Sequence, residues 1–323
     1  MFLAAPVHCF RGQSTAISRA WSTAVSRIAS WMQQPSRWRA TTAWLFIAPF
    51  LTIFIVFTAV PALLALIYSF TDIGVADIRR PLDVDFVSFR TFARVLTNAG
   101  FLKSIWTTAL FVVIGVPLTM AIGLVLAIGL NNGITKLRAT YRAAFYLPVI
   151  TNIVAAAVIW QYAFTLSGPV NSFLTSVGAA GPNWLGDPKM AMPTVIMLAV
   201  WRNVGTCMVL FLAGLQSIPV DVYEAAKIDG ASAWRRFTAM TLPLLKPATL
   251  LVTVLMTVSF MNIFDEPYLL TKGGPLSSTK SVALWVYEQF GQGNIAPAMA
   301  GSYVMLAIVV ILGVLQLRLL RAR

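Results

Sequence analysis

Long runs of apolar residues alternate with short polar segments along most of the chain. Six of these runs are long enough to cross a bilayer, which takes about 20 residues of helix. They are too long for strands, and a membrane-spanning backbone has to satisfy its hydrogen bonds internally. The pattern therefore predicts an all-α, polytopic membrane protein with transmembrane helices at residues 43–70, 104–130, 143–166, 190–215, 249–270 and 296–317.

Composition indicates an integral membrane protein and excludes several functions. Hydrophobic residues make up 58% of the 323 positions, only 11% are charged, and the mean hydropathy is +0.78. A soluble protein of this length would need more polar surface. Histidine occurs once, at His8, and the two cysteines, Cys9 and Cys207, lie far apart in sequence. We therefore expect no metal site, disulfide framework or catalytic centre in this chain.

Lysine and arginine residues are distributed unevenly around the predicted spans. Fifteen lie before the first span, in the loops 131–142 and 216–247, or at the C terminus, whereas eight lie in the alternate loops. By the positive-inside rule, both termini and the loop 216–247 are predicted to be cytoplasmic. The net charge of +13 reflects this asymmetry. Because the basic residues are scattered among membrane flanks, nucleic acid is not an expected partner.

Residues 1–42 form a basic tail that precedes the predicted transmembrane domain, 43–323. The tail contains five arginines and no acidic residue, and apolar side chains such as Ile17, Trp21 and Ile28 recur in it at helical spacing. A helix lying on membrane lipid at the cytoplasmic face is one interpretation. A disordered tail that only enforces orientation is the other.

The loop 216–247 is a charged helix–turn–helix between two apolar spans. Ser217 and Pro219 are predicted to start its first helix, with Ser217 as the cap, and Gly230 is predicted to end it in the left-handed conformation. Ser232 is expected to cap the second helix. One face of the first helix combines two carboxylates with small and apolar groups: Asp221, Glu224, Ala225 and Ile228. Such a face is typical of a docking surface, although Glu224 and Gly230 taken alone could also be an ordinary helix residue and its terminator.

The segment 213–247, AGLQSIPVDVYEAAKIDGASAWRRFTAMTLPLLKP, closely resembles the "EAA" loop of bacterial ABC importer permeases in the carbohydrate-uptake group. It joins Glu224-Ala225-Ala226, Gly230 and Leu242-Pro243 at the spacing of that family. WLFIAPFLTIFIVFTAVPALLALIYSF in the first span and FYLPVITNIVAAAVIWQYAF in the third are also similar to these permeases. FDEPYLLTKGGP, followed by Ser278-Thr279, resembles the outer loop of the subunit type related to the first maltose-transporter permease.

This resemblance implies one subunit of an importer in the bacterial inner membrane. The partners that it implies are a second, homologous permease, two cytoplasmic ATPase subunits and an extracytoplasmic solute-binding protein. In such importers the EAA helix inserts into a cleft of the ATPase subunit, which binds ATP and Mg²⁺, so no cofactor is expected in this chain. The residues that the resemblance assigns to coupling are Glu224, Ala225, Ala226, Asp229, Gly230, Arg235 and Pro243.

Arg202 is the one basic residue inside a predicted span. It lies roughly 12 residues, or about 18 Å of helix, from the outer start of the fourth span, which is near the bilayer centre. Asp265 and Glu266 lie at the outer end of the fifth span. Their offset permits a direct salt bridge with Arg202 only if the helices are staggered or broken. Binding to backbone carbonyls and exposure to a translocation cavity are the alternatives for Arg202.

Other polar and aromatic residues in the spans could contact a sugar, through hydrogen bonds to its hydroxyls or by stacking on its apolar faces. Helix pairing and the aromatic belt of the membrane interface are the alternative explanations. Ser259, Asn262 and Glu266 are expected on one helical face. The pathway candidates are Asn152, Trp160, Gln161, Trp201, Arg202, Asn203, Thr206, Ser259, Asn262, Asp265, Glu266 and Tyr268.

The outer loops and the nature of the cargo are less constrained by the sequence. The polar loops 72–103 and 271–295 are the expected receiving surface for the binding protein, although ordinary solvated loops have the same composition. The resemblance implies an oligosaccharide cargo. The central arginine would suit an acidic one, and the basic tail and overall sequence are similar to the larger permease of bacterial alginate importers. A stand-alone secondary transporter or channel is the alternative, but neither an ion-coupling site nor an inverted repeat is recognisable.

Overall fold

The computed structural model describes residues 37–80, 84–133 and 137–321, so most of the basic tail, including its predicted interfacial helix, lies outside the described residues. Regular structure in these ranges is helical, apart from an isolated antiparallel bridge between Thr71 and Phe86. In chain order the helices are α1 Arg37–Phe54, α2 Val60–Tyr68, α3 Arg90–Thr97, α4 Ala99–Leu110, α5 Val116–Ile128, α6 Arg138–Ile150, α7 Ile153–Ala163, α8 Pro169–Ser176, α9 Pro188–Gln216, α10 Val220–Ile228, α11 Ala233–Arg236, α12 Leu242–Leu244, α13 Lys246–Met261, α14 Asp265–Thr271, α15 Val282–Gly291 and α16 Ile295–Arg321. Short π-helical segments occupy Ile55–Ala59, Phe111–Gly115, Gly129–Gly133 and Phe237–Thr241, and Val75–Arg79 is a 3₁₀ turn.

The chain divides into two compact units, and the first ends at Leu64. Between positions 44 and 64 no side chain of this unit is buried, and large apolar groups such as Trp44, Phe46 and Phe57 are exposed. Such a surface is expected of a membrane span, whose surroundings are as apolar as its own side chains. The second unit begins at Ala65 and contains the other predicted spans.

Within the residues that the structure describes, four helical stretches are long and apolar enough to cross a membrane, and the number rises to six if each of two bent helix pairs is counted as one span. The four are Trp44–Tyr68, Ala99–Asn131, Pro188–Gln216 and Ile295–Leu319. In the bent pairs, α6 meets α7 at 93°, and the stretch Ala233–Leu244 meets α13 at 67°. The prediction of a polytopic helical protein is confirmed, but the third predicted span is not one continuous helix.

The break in the third span lies at Thr151 and Asn152. Thr151 is extended, with φ −71° and ψ 137°. The Oδ1 atom of Asn152 accepts hydrogen bonds from the backbone N–H groups of Val154 at 2.9 Å and Ala155 at 3.3 Å. Asn152 is therefore the N-cap of α7, because its side chain satisfies donors that have no partner within the helix.

The prediction of one continuous helix for the fifth span, 249–270, is also wrong. Helix α13 stops at Met261, and α14 begins anew at Asp265. Pro267 accounts for the break, because it has no N–H to bond the Ile263 carbonyl and its ring would clash with that carbonyl in a continuous helix. Asp265 and Glu266 then occupy the first turn of α14, where the helix dipole favours carboxylates.

Helix α9 lies at the centre of the main hydrophobic core and has 14 buried residues. It packs chiefly on α5, and also on α6 and α13. The packing on α5 depends on the small size of Gly123: a Cβ atom at this position would lie 2.7 Å from Cys207 Sγ and 2.9 Å from Cys207 Cβ. Small residues let membrane helices approach closely and gain van der Waals contact.

Substitution at Gly123 tests this close packing. We expect Gly123→Ala to destabilise the protein by about 1–3 kcal/mol, since overpacking forces the two helices apart. Thermal unfolding of the purified chain in detergent should show a lower midpoint. The control is Gly313→Ala in α16, where an added Cβ meets no atom within 4 Å. Equal midpoints for the two variants would contradict the packing described for α5 and α9.

Candidate functional site

A polar cavity of about 350 Å³ lies where α9 passes the break between α13 and α14. Helix α9 contributes one wall, and the segment around the break contributes the other. The cavity brings together every pathway candidate that the sequence predicted on the fourth span, apart from Trp201, and on the fifth span, apart from Tyr268. Its polar lining residues are Arg202, Asn203, Thr206, Ser259, Asn262, Asp265 and Glu266.

Arg202 forms ion pairs with both carboxylates at the start of α14. Its Nη1 atom lies 3.1 Å from Glu266 Oε1 and 3.5 Å from Asp265 Oδ2. Of the alternatives considered for Arg202, the structure therefore shows the salt bridge, together with exposure to a cavity. The pair accompanies the break in the fifth span: α13 ends at Met261, and Asp265 and Glu266 lie in the first turn of α14, within reach of Arg202.

The two carboxylates differ in their surroundings. Glu266 is buried, with 5% of its side chain exposed, whereas 45% of the Asp265 side chain is exposed. A buried carboxylate is costly unless it is paired and hydrogen-bonded, so Glu266 depends on Arg202. Asp265 makes the longer contact with Arg202, and its carboxylate can accept further hydrogen bonds from the cavity that it lines.

A second polar link joins α9 to α13. Asn203 donates to the Ala199 carbonyl at 2.9 Å, and its Oδ1 accepts from Ser259 Oγ at 3.2 Å. The side chain of Asn262 donates to the Val258 carbonyl at 2.9 Å, at the point where α13 ends. Ser259, Asn262 and Glu266 were expected on one helical face. They instead line one cavity from two separate elements, because the helix ends before Glu266.

The other pathway candidates lie outside the lining of this cavity. Asn152 caps α7, and Gln161 donates to the carbonyls of Leu269 and Leu270, which packs α7 on α14. The remaining three take part in aromatic contacts: Trp160 with Phe164 and Trp201, and Tyr268 with Phe264 and Tyr287.

Phe264 was not among the sequence candidates, yet it lines the cavity. Its ring stacks on Tyr268 with centroids 5.2 Å apart and an interplanar angle of 14°. The signal that could have identified it is its position between the helix-ending Asn262 and the helix-starting Asp265. An aromatic residue in such a break has no helical neighbours to cover it on every side.

The loop between α9 and α13 presents the predicted docking face. In α10, Tyr223 is hydrogen-bonded to Thr241 at 3.1 Å and Ala226 is buried, and these residues attach the helix to the rest of the loop. The opposite face is exposed, up to 87% for Ile228. It carries the four residues that the sequence grouped together: Asp221, Glu224, Ala225 and Ile228.

The turn after α10 follows the sequence prediction, whereas the residue predicted to cap the start of α10 does not. Gly230 has φ +71°, a left-handed conformation, and Ser232 Oγ accepts from the Arg235 N–H, so both predictions are confirmed. Ser217 does not cap α10. It ends α9, where its hydroxyl donates to the Gly214 carbonyl at 2.8 Å, and Pro219 takes the N-cap position of α10.

The remaining predicted coupling residues are distributed along this loop. Asp229 is exposed at the end of α10, Arg235 is exposed in α11, and Pro243 is exposed in α12. A larger cavity, of about 1030 Å³, lies between the loop and the adjoining ends of α5 and α9.

Both cavity walls are connected directly to the loop 216–247, which carries the predicted docking face and is called the docking loop below. Helix α9 runs without interruption from Arg202 to Gln216, about 21 Å at 1.5 Å per residue. Helix α13 connects the other end of the loop, at Lys246, to the break at Asn262. A displacement of the loop would therefore move both walls of the polar cavity.

The ion pair between Arg202 and Glu266 can be tested through protein stability. We expect Arg202→Gln to cost about 3–5 kcal/mol of folding free energy, because it leaves a buried carboxylate unpaired. Adding Glu266→Gln should restore most of the loss, since the double variant has no unpaired buried charge. Lys280→Gln, which breaks the pair between Lys280 and Glu288 outside the cavity, is the control and should cost less. A double variant no more stable in thermal unfolding than Arg202→Gln would contradict the assignment.

Comparison with known proteins supports a common architecture over nearly the whole chain. Residues 41–323 match the family described as the inner membrane component of binding-protein-dependent transport systems. The lactose transport system permease protein LacF of Rhizobium radiobacter is 33% identical over 293 residues, which cover 89% of this chain and 96% of LacF. The trehalose/maltose transport system permease protein MalF of Thermococcus litoralis is 33% identical over 285 residues, 88% of this chain and 95% of MalF.

A solved structure has the same fold. A chain of the bacterial alginate ABC transporter, in complex with an alginate pentasaccharide-bound periplasmic protein, superimposes with a TM-score of 0.74 at 21% identity. The match covers 86% of this chain and 93% of that one. The family match, the relatives and the apolar helices lead to one conclusion: this chain is a multi-pass inner-membrane protein that belongs to the family of inner membrane components of binding-protein-dependent transport systems.

Proposed function

We propose that this chain is one permease subunit of an ATP-driven importer of oligosaccharides. Its relatives named as permeases for lactose, for trehalose and maltose, and for arabinooligosaccharides support a carbohydrate cargo. A second, homologous permease completes the pathway, and two ATPase subunits bind ATP and Mg²⁺. The chain itself has no catalytic role.

One observation carries this proposal: a polar cavity in the middle of the spans is connected by α9 and α13 to an exposed docking helix. Polar and ionisable side chains inside a membrane protein are costly, so their grouping around one cavity marks a functional site. Its carboxylates, amides and hydroxyls match the hydrogen-bonding capacity of a sugar, and Phe264 supplies an apolar ring. We assign the seven polar residues of the cavity to the cargo pathway.

The ATPase subunit is proposed to dock on the exposed face of α10. Glu224 provides a charged anchor, Ala225 permits close approach, and Asp229 and Arg235 contribute peripheral contacts. Ala226 holds the helix to the loop, and Gly230 and Pro243 fix its turns. In the orientation predicted from the basic residues this face is cytoplasmic. Closure of the ATPase pair would then displace α9 and α13 and reshape the cavity.

The cargo is proposed to arrive from an extracytoplasmic binding protein at the opposite side of the membrane. The loops 72–103 and 271–295 are the candidate receiving surface. The alginate ABC transporter, which shares this fold, was crystallised with such a periplasmic protein. The proteins that match this chain include both a lactose permease and a transporter of an acidic polysaccharide, so their names leave the charge of the cargo open.

Substitution of Glu224 tests the proposed coupling. In the assembled transporter, we expect Glu224→Ala to abolish cargo-stimulated ATP hydrolysis and uptake, or to release the ATPase subunits on purification, because the docking anchor is lost. The control is Asp187→Asn, which removes a carboxylate outside the docking loop and outside the candidate receiving loops and keeps the cap on the Lys189 N–H. Normal uptake and normal cargo-stimulated hydrolysis in Glu224→Ala would contradict the proposal, as would uptake by the chain alone in liposomes without ATP.

A further inference from the structure

We infer that the cavity excludes anionic cargo and that Asp265 is the residue of this chain that enforces the exclusion. This inference rests on the proposed function and narrows it: the cargo is a neutral oligosaccharide. It also reverses the sequence-based expectation, in which the central arginine suits an acidic sugar. The basis is the charge arrangement around Arg202.

The positive charge of Arg202 is already neutralised by protein groups. Both ion pairs are made through Nη1, at 3.1 Å to Glu266 and 3.5 Å to Asp265. A sugar carboxylate at the remaining guanidinium N–H groups would be the third negative charge beside a single cation, and otherwise it would have to displace Asp265 or Glu266. Displacing Glu266 would leave a carboxylate with 5% side-chain exposure unpaired, which is strongly unfavourable.

The charge that faces the cavity is negative. Among the lining residues of the described chain, Arg202 is the one cation, and it is opposed by two carboxylates. Asp265 is the accessible carboxylate of the two, since 45% of its side chain is exposed. Like charges held close together in a poorly solvated cavity repel each other more strongly than in water.

The same arrangement suits sugar hydroxyls. A carboxylate accepts hydrogen bonds and does not donate them when ionised, so Asp265 can accept from neighbouring hydroxyl groups. Such charge-assisted bonds are shorter and stronger than those between neutral groups. Asn262 and Thr206, on opposite walls, add neutral donors and acceptors. A neutral polyhydroxylated ligand satisfies these groups without bringing a second negative charge.

The test is a comparison of neutral and acidic oligosaccharides in the assembled transporter. The neutral probes are lactose, maltotriose and arabinotriose, and the acidic probes are the trimers of mannuronate and galacturonate. Cargo-stimulated ATP hydrolysis and uptake are measured for each probe, and binding to the detergent-purified transporter is measured without the binding protein. We expect a neutral probe to be the best cargo of the unmodified transporter.

The variant Asp265→Asn assigns the selectivity to this residue. We expect Asp265→Asn to raise the ratio of acidic-probe uptake to neutral-probe uptake about tenfold or more. Asp265→Glu keeps the charge and should preserve this ratio. Any preference of the binding protein cancels, since the same binding protein serves every variant. Asn262→Lys adds a cation to the same cavity and should shift the ratio in the same direction. Asp187→Asn removes a carboxylate outside the cavity and outside the candidate receiving loops, keeps the capping hydrogen bond to the Lys189 N–H, and should leave the ratio unchanged.

The outcomes separate this inference from the proposed function. An acidic trimer as the best cargo of the unmodified transporter would overturn the inference and leave an oligosaccharide importer in place. An unchanged ratio in both Asp265→Asn and Asn262→Lys would also overturn it. If no probe of either class binds or stimulates ATP hydrolysis, the proposed carbohydrate function is contradicted, and the inference falls with it.

Discussion

A guanidinium group in the middle of a membrane span is unfavourable unless its charge is paired, and the structure around the fourth span supplies this pairing. Arg202 is paired with Glu266 and Asp265 because the fifth span breaks and starts again at the right level. The break also leaves space beside α9, and that space is the polar cavity. The break that Pro267 imposes thus allows the ion pairs that compensate the charge of Arg202, and the cavity lies beside them.

Helix α9 connects the polar cavity to the distant docking loop. Its buried residues fix it in the main core, and its uninterrupted backbone joins the cavity to the docking loop. The hydrogen bond between Asn203 and Ser259 links α9 to α13 near the cavity, so the two walls are held together there. Packed helices have a few discrete arrangements and do not deform continuously. A displacement of α10 would therefore shift α9 and α13 as whole helices.

The sequence predicted the helical class, the six apolar regions and the shape of the docking loop. These features depend on local composition and turn chemistry, as the left-handed Gly230 and the capping Ser232 illustrate. The breaks in the third and fifth spans were missed because hydropathy is averaged over a window that conceals a single polar residue. Signals were present: Asn152 is a good helix cap, and Pro267 follows two acids that favour a helix start. The roles of Trp160 and Gln161 could not be predicted, because their partners lie on elements distant in sequence.

The most direct measurement of whether cargo occupies the cavity is the reactivity of a cysteine at Thr206, a lining residue of similar size. In a Cys9→Ser background, Thr206→Cys would be labelled with a small polar thiol reagent in the assembled transporter. The Cys9→Ser chain without the cysteine at position 206 reports any labelling of the buried Cys207. Ser176→Cys, at the end of α8 in the polar segment between the third and fourth spans, reports an exposed site outside the cavity. If the cavity is the cargo pathway, cargo that stimulates ATP hydrolysis slows labelling at position 206 and leaves position 176 unaffected. Labelling at position 206 that is the same with and without such cargo would contradict it.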